Sequence, residues 1–185
     1  MRILGIAGYS GSGKTTLLTG VLPHLRARGL EVATLKHAHH GFDPLPPGHA
    51  SQRWRAAGAR EIVLAMPERH LLLRELHGTP EPGIDAMLPL LSPVDLLLVE
   101  GYKHGTLDKI EAYREANGSP LLAADDPHVI ALATDCGRPA GLPEVRDLPI
   151  FSLDDLAAIA GFIAGLCARD EATSAGIRSA PPCRS

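Results

Sequence analysis

The chain has 185 residues, a net charge of −3 and 45% hydrophobic residues, which supports one domain with a substantial core. Its basic residues are spread along the chain, which argues against nucleic acid or an acidic membrane surface as the main partner. The cysteines Cys136, Cys167 and Cys183 stand far apart with no C-x-x-C spacing, so neither a disulfide framework nor a cysteine zinc site is expected.

Residues 2–7 predict a first strand, apolar on both faces as a central parallel strand is. It runs into GYSGSGKTT, residues 8–16, whose pattern Gly8-x4-Gly13-Lys14-Thr15 fits a phosphate-binding loop between a strand and a helix. Glycines let the backbone bend round an anion with successive N–H groups pointing inward, and the helix start adds its positive dipole end. The candidate nucleotide-binding residues here are Gly8, Ser10, Gly11, Ser12, Gly13, Lys14, Thr15 and Thr16. Lys14 is expected to reach the β- and γ-phosphates, and the Thr15 hydroxyl to coordinate Mg²⁺.

The helix that follows is expected from about Gly13 to Arg28, with Leu17, Leu18, Val21, Leu22 and Leu25 as its apolar stripe. Pro23 predicts a kink and Gly29 a stop. Glu31 to Lys36 reads as a second strand, and KHAHHGFDPLPPGH after it as a long loop at the same edge as the phosphate loop. Lys36 and His37 are candidate nucleotide contacts there. His37, His39 and His40 invite a transition-metal reading, since imidazoles at i and i+2 of an extended segment share a side. Without a nearby cysteine, hydrogen bonding to phosphate is the simpler role. Asp43 in this loop is placed to supply a carboxylate to the Mg²⁺ shell; a solvated loop aspartate is the plainer alternative.

Ser51 to Ala57 suggests a short helix capped by Ser51. Glu61 to Met66 and His70 to Leu76 predict a hairpin appended to the main sheet, and Gly83 to Leu91 a helical crossover. VDLLLV, residues 94–99, is a buried strand ending at Glu100-Gly101. Asp95 and Glu100 lie roughly 16 Å apart along a strand, so only Glu100 shares the carboxyl edge with the phosphate loop. Glu100 is therefore the candidate that orders a Mg²⁺-bound water or orients an attacking one, and Gly101 allows close approach to the γ-phosphate. Lys14 and Glu100 are the candidate catalytic pair; Thr15, Asp43 and Glu100 are the candidate metal ligands.

Lys109 to Tyr113 predicts another strand, with Arg114 just beyond it as a contact to phosphate or to a partner subunit, or as a plain surface residue. VIALAT, residues 129–134, is a buried strand ending at Asp135, whose carboxylate is placed to accept from guanine N1 and N2. Residues 149–151 form a last short strand. Ser152-Leu153-Asp154-Asp155 resembles a capping box opening a helix to about Arg169, too short to span a bilayer. From Asp170 onward the periodicity is lost, which predicts a disordered tail over 170–185 and a nucleotide-binding domain over 1–169. Of 18 basic residues only Lys14, Lys36, Lys103 and Lys109 are lysines, and each falls in or near a segment chosen on other grounds. Strands alternating with helices predict an α/β fold, a mainly parallel doubly wound sheet with helices on both faces and ligands at the carboxyl ends of the strands.

Taken together, IAGYSGSGKTTLL, LKHAHHGFD, PGHAS, RAAGA, DLLLVEGYKH, KIEAYR and HVIALATD resemble the molybdopterin-guanine dinucleotide biosynthesis protein B family, from about Arg2 to Arg169. The family's histidine segment reads K-H-x-H-H-D-x-D-x-D followed by K-P-G-K-D-S. Lys36, His37, His39, His40, Asp43, Pro47, Gly48 and Ser51 match it. Gly41 and Leu45 replace acids, Pro46 and His49 replace lysines, and Ala50 replaces an aspartate, which leaves Asp43 as the loop's sole carboxylate. The resemblance implies a P-loop NTPase fold, GTP and Mg²⁺ binding, weak GTP hydrolysis and a homodimer; the short apolar runs lead to the expectation of a soluble, cytoplasmic protein. It also implies contact with a molybdenum cofactor guanylyltransferase, with molybdopterin as a further candidate partner. Two other readings stand beside it: a small-molecule kinase, which needs an acceptor pocket and a closing lid, and a GTP-dependent nickel-delivery chaperone using the histidines.

Overall fold

The structure, a computed structural model, describes residues 1–38, 41 and 43–178. The chain divides into two compact units, one built from residues 1–38 and 92–185 and the other from residues 39–91. The second unit is larger than the appended hairpin that the sequence predicts.

In the first unit six strands form one wholly parallel sheet: β1 (Arg2–Ala7), β2 (Val32–Lys36), β5 (Leu96–Glu100), β6 (Lys109–Tyr113), β7 (Val129–Thr134) and β8 (Ile150–Ser152), in the order β2-β5-β1-β6-β7-β8. The central strands are apolar on both faces because both faces are covered; Leu96, Leu97, Leu98 and Val99 have no exposed surface. Strands β2 and β5 lie on one side of β1 and β6 to β8 on the other. The order of the sheet therefore reverses at β1, and the crevice at its carboxyl end is where such folds take ligands.

Helices α1 (Lys14–Arg26) and α4 (Leu156–Arg178) pack together on one face. Leu17, Leu18, Val21 and Leu25 of α1 meet Ile159, Ala160 and Ile163 of α4 over Leu4, Ile6, Leu98 and Ile110. Burying each such side chain contributes about 1.5–3 kcal/mol before the loss of chain entropy is counted. The opposite face carries a second cluster, Val129 and Leu132 against Leu142 and the 3-10 turn Leu122–Ala124.

Register does the positioning. Ile6, Glu100 and Lys36 are ladder partners across β1, β5 and β2. Parallel partners point to the same face, so Glu100 and Lys36 emerge together on the side of α1. No helix joins β5 to β6. Gly5 of β1 pairs with both Val99 and Lys109, so β6 begins level with the end of β5 and overhangs the carboxyl edge.

The second unit contains α2 (Ala50–Ala56), the antiparallel hairpin of β3 (Glu61–Met66) and β4 (Arg69–Arg74), and α3 (Ile84–Met87) running into the 3-10 turn Leu88–Leu90.

Three predicted helix ends differ. Ser51 does not cap α2: it is buried in the first turn, and the cap is His49, whose ring accepts from the Ser51 N–H at 3.3 Å. Helix α4 opens at Asp155, whose Oδ1 accepts from the Ala158 N–H at 3.0 Å, while Ser152 Oγ accepts from the Asp154 N–H one step earlier. Finally, α4 continues to Arg178, so the stretch from Asp170 is helical as far as that residue. Apolar periodicity, the cue that set the boundary at Arg169, ends before good helix formers such as Glu171, Ala172 and Ala175 run out.

Candidate nucleotide site

Strand β1 ends at Ala7 and the chain turns at once. Gly8 has φ +138°, and a side-chain carbon there would sit 2.4 Å from the Ala112 carbonyl oxygen and 2.7 Å from Ser12 Oγ, so only glycine fits. Gly13, at φ +94°, is the left-handed residue that starts α1. Ser12 is buried, and its Oγ has no partner among the described residues, an unspent donor within the loop. The Lys14 ammonium is folded back onto the Tyr9 carbonyl at 2.7 Å.

On the α1 side, Thr15 Oγ1 donates to the Glu100 carboxylate, 3.0 Å from Oε1 and 3.1 Å from Oε2. Lys36 Nζ stands 2.9 Å from Glu100 Oε1. Burial pulls the Lys14 pKa below its ordinary value; Glu100 opposes that, while Lys103 and Lys36 add to it. Lys14 and Lys36 thus both act on the Glu100 carboxylate, with Lys103 within reach of Lys14, and the surplus is positive. A hard cation such as Mg²⁺ takes hydroxyl and carboxylate oxygens, and Thr15 with Glu100 presents both in contact, so these residues fit a triphosphate with its metal. Lys14 and the loop amides would hold the phosphates, and Thr15 and Glu100 the metal or its water.

Gly101, at φ +110°, lets the chain leave β5 against His37: a side-chain carbon on Gly101 would lie 2.9 Å from His37 Cβ. The His37 ring stacks on Tyr102 with centres 4.4 Å apart. Lys14, Thr15, Lys36 and Glu100 therefore converge, with Gly101 and His37 forming the adjoining turn. His39 and His40 lie outside the described residues.

Asp135 is at the end of β7, where its Oδ1 accepts from the Glu115 N–H at 3.1 Å and its Oδ2 lies 3.5 Å from Arg114 Nη1. The Arg114 guanidinium reaches the phosphate loop itself, with Nε 3.5 Å from where a side-chain carbon on Gly13 would be. Asn117 donates to the Ser10 carbonyl at 3.3 Å. The ends of β6 and β7 thus supply a rim, with Arg114 and Asn117 against the loop and Asp135 behind Arg114. Sequence reasoning left Arg114 open and missed Asn117, which sits in a short 3-10 turn that no periodicity marks.

Asp43 belongs to the second unit. There it accepts from the Leu45 N–H at 3.0 Å, Gln52 Nε2 at 3.2 Å and Arg55 Nη2 at 3.0 Å. The Leu45 hydrogen bond, aided by Arg55 and Gln52, holds its pKa below the usual value. The i to i+2 bond is an Asx turn leading toward α2.

The sequence also gave no warning that Lys109 and Glu111 of β6 are buried, each only 1% exposed. Lys109 Nζ donates to Asp126 Oδ2 at 2.7 Å and to the Gly105 carbonyl at 2.6 Å. Glu111 accepts from the Leu122 and Ala123 N–H groups at 2.9 and 2.8 Å, and burial raises its pKa.

A phosphate-binding loop at the reversal point of a parallel sheet, with a carboxylate at the neighbouring strand end, defines a P-loop NTPase fold. The profile of the family described as molybdopterin guanine dinucleotide synthesis protein B matches residues 3–135, and the chain belongs to that family. It is 35% identical over 164 residues to the molybdopterin-guanine dinucleotide biosynthesis adapter protein of Escherichia coli K12, covering 87% of this chain and 90% of that protein. To the protein of the same description in Haemophilus influenzae it is 37% identical, covering 87% and 86%. The crystal structure of a molybdopterin-guanine biosynthesis protein B superposes with a TM-score of 0.68 at 28% identity, covering 89% of this chain and 98% of that one. No helix among the described residues is long and apolar enough to cross a membrane.

Proposed function

We propose that the protein is a GTP·Mg²⁺-binding adapter in the biosynthesis of molybdopterin guanine dinucleotide, assisting the guanylyltransferase that joins the two halves of that cofactor. The observation that carries this reading is the contact of Thr15 with Glu100 beside the phosphate loop, with Lys14 and Lys36 drawn to the same carboxylate. The loop amides and Lys14 hold the phosphates, Thr15 and Glu100 hold the metal, and Asp135 reads the base. Asp43, bound by Leu45, Gln52 and Arg55 in its own unit, is the further candidate carboxylate for the metal. Hydrolysis is weak, as it is in P-loop proteins until an arginine is brought to the transferring group. The protein acts in the cytoplasm as a homodimer, and the segment from Lys36 to His49 reports the state of the γ-phosphate to the partner.

A pull-down on immobilised guanylyltransferase with GTP, GDP or no nucleotide tests the adapter reading. Capture is strongest with GTP; equal capture in all three conditions removes the nucleotide switch. Comparing GTP with ATP in Asp135→Ala tests the base reader, and an unchanged preference excludes it.

A further inference from the structure

The chain has four lysines, and three of them hold an oxygen partner. Lys14 donates to the Tyr9 carbonyl, Lys36 pairs with Glu100, and Lys109 pairs with Asp126. Lys103 is the exception. It has no carboxylate or carbonyl partner for its ammonium among the described residues, although it is half-buried; Nζ rests on the face of the Tyr9 ring, 4.2 Å from the centre. We propose that Lys103 reads the terminal phosphate. Its ammonium leaves the ring for a γ-phosphate oxygen when a nucleoside triphosphate fills the loop, and stays on the ring when a diphosphate does. This rests on the nucleotide reading above and names the residue that tells the two nucleotides apart.

Three observations carry the assignment. First, the turn that bears Lys103 holds its main chain still. The Gly105 N–H donates to the Tyr102 carbonyl at 3.0 Å, which closes a turn with Lys103 and His104 at its tip. Buried Lys109 grips that turn from behind, donating to the Gly105 carbonyl at 2.6 Å and to the Lys103 carbonyl at 3.3 Å. At the turn's entrance Tyr102 has φ +50°, a conformation that a bulky residue keeps only where its surroundings impose it, and its ring is stacked on His37. The backbone is fixed, and the four-carbon stem of Lys103 is left to move.

Second, the present contact of the ammonium is a weak one. A cation on a tyrosine face gains less than a cation hydrogen-bonded to a phosphate oxygen. Lys103 and Lys14 also repel each other: burial is the chief reason that the Lys14 pKa is lowered, and Lys103 adds to it. An anion between the two relieves that repulsion and supplies the partner that Lys103 lacks.

Third, position selects the terminal phosphate. Tyr9 lies at the entry to the loop, and Gly13 closes it at the start of α1, whose amides take the inner phosphates. Lys103 reaches Tyr9 from the turn that follows Glu100, the carboxylate on the metal side, and Mg²⁺ in such sites bridges β- and γ-oxygens. The cation is thus delivered to the end of the loop where a triphosphate carries one group more than a diphosphate.

The test is the ratio of GTP to GDP affinity, measured by calorimetry at fixed Mg²⁺ on the full chain. Lys103→Met keeps the apolar stem on Tyr9 and removes the charge. It is expected to weaken GTP binding by about tenfold or more and GDP binding by less than about twofold. Lys103→Arg, which keeps a cation, holds the ratio within about threefold of wild type. The melting midpoint of Lys103→Met stays within about 2 °C of wild type, because its ammonium has no hydrogen bond to lose. Equal losses for GTP and GDP in Lys103→Met, or no loss for either, overturn the proposal and leave the nucleotide reading standing. So does a ratio in Lys103→Arg as low as that in Lys103→Met. Wild type that binds neither nucleotide removes the nucleotide reading itself, and the proposal with it.

Discussion

Two charged clusters sit on opposite faces of one sheet, and they are built on opposite principles. On the α1 face, Glu100 is shared by Thr15 and Lys36, with Lys14 near enough to be felt, so cations outnumber the carboxylate. On the other face, Lys109 is matched by Asp126 and two carbonyls, and Glu111 by two main-chain N–H groups. The first cluster leaves a surplus of positive charge for a ligand. The second consumes its charges internally. Charge count therefore separates a binding site from a structural brace, although both are built on parallel strands of one sheet.

That contrast can be broken at four places. The largest effect is expected from Asp126→Asn, which strands the buried Lys109 ammonium and lowers stability by about 3 kcal/mol while GTP affinity is unchanged. Chemical denaturation and nucleotide titration of the same sample check both halves. The pH dependence sharpens the point. Burial pushes the Asp126 pKa up, but hydrogen bonds from Lys109 and the His128 N–H more than offset it, leaving it below the ordinary 3.8. A carboxylate depressed in the folded state stabilises above its unfolded pKa and loses that contribution as pH falls through the folded value. The stability gap between wild type and Asp126→Asn is thus widest near neutrality and closes below about pH 4.

Next, Glu100→Gln is expected to weaken Mg²⁺-supported GTP binding by about 30-fold, or about 2 kcal/mol, with little change in unfolding midpoint. A fall in stability as large as that of Asp126→Asn would place Glu100 among the structural charges. Arg114→Ala, removing the guanidinium that rests on Gly13, lowers GTP affinity by about threefold to tenfold, measured by competition with a fluorescent GTP analogue. The smallest effect belongs to Asp43→Asn. Its carboxylate is already engaged by Leu45, Gln52 and Arg55, so only a shift of about twofold to threefold in the Mg²⁺ midpoint for GTP binding is expected. No shift at all removes Asp43 from the metal shell.

The difference between the clusters also sets what could be read from sequence. Glu100 was legible because one residue of register decides its face and edge: an acid after four apolar positions has to emerge beside the phosphate loop. The loop itself was legible because Gly8 and Gly13 meet backbone demands that few other residues satisfy. Lys109 and Glu111 were not, since K-I-E-A-Y reads as an ordinary alternating strand. Their burial depends on the turns 103–106 and 122–126, which come from distant sequence and leave no periodic trace. The His49 cap on α2 was hidden for a similar reason, because Ser51 two residues later matched the capping preference better. Asp43 was marked by its neighbourhood in sequence, and its partners Gln52 and Arg55 lie on the helix that follows.

The most direct measurement is isothermal titration calorimetry with GTP and Mg²⁺ on wild type and Lys14→Ala. The account predicts saturable heat for wild type and a loss of affinity of at least about a hundredfold when the ammonium is removed. Equal heats and affinities for the two proteins, or no binding to wild type, would contradict it.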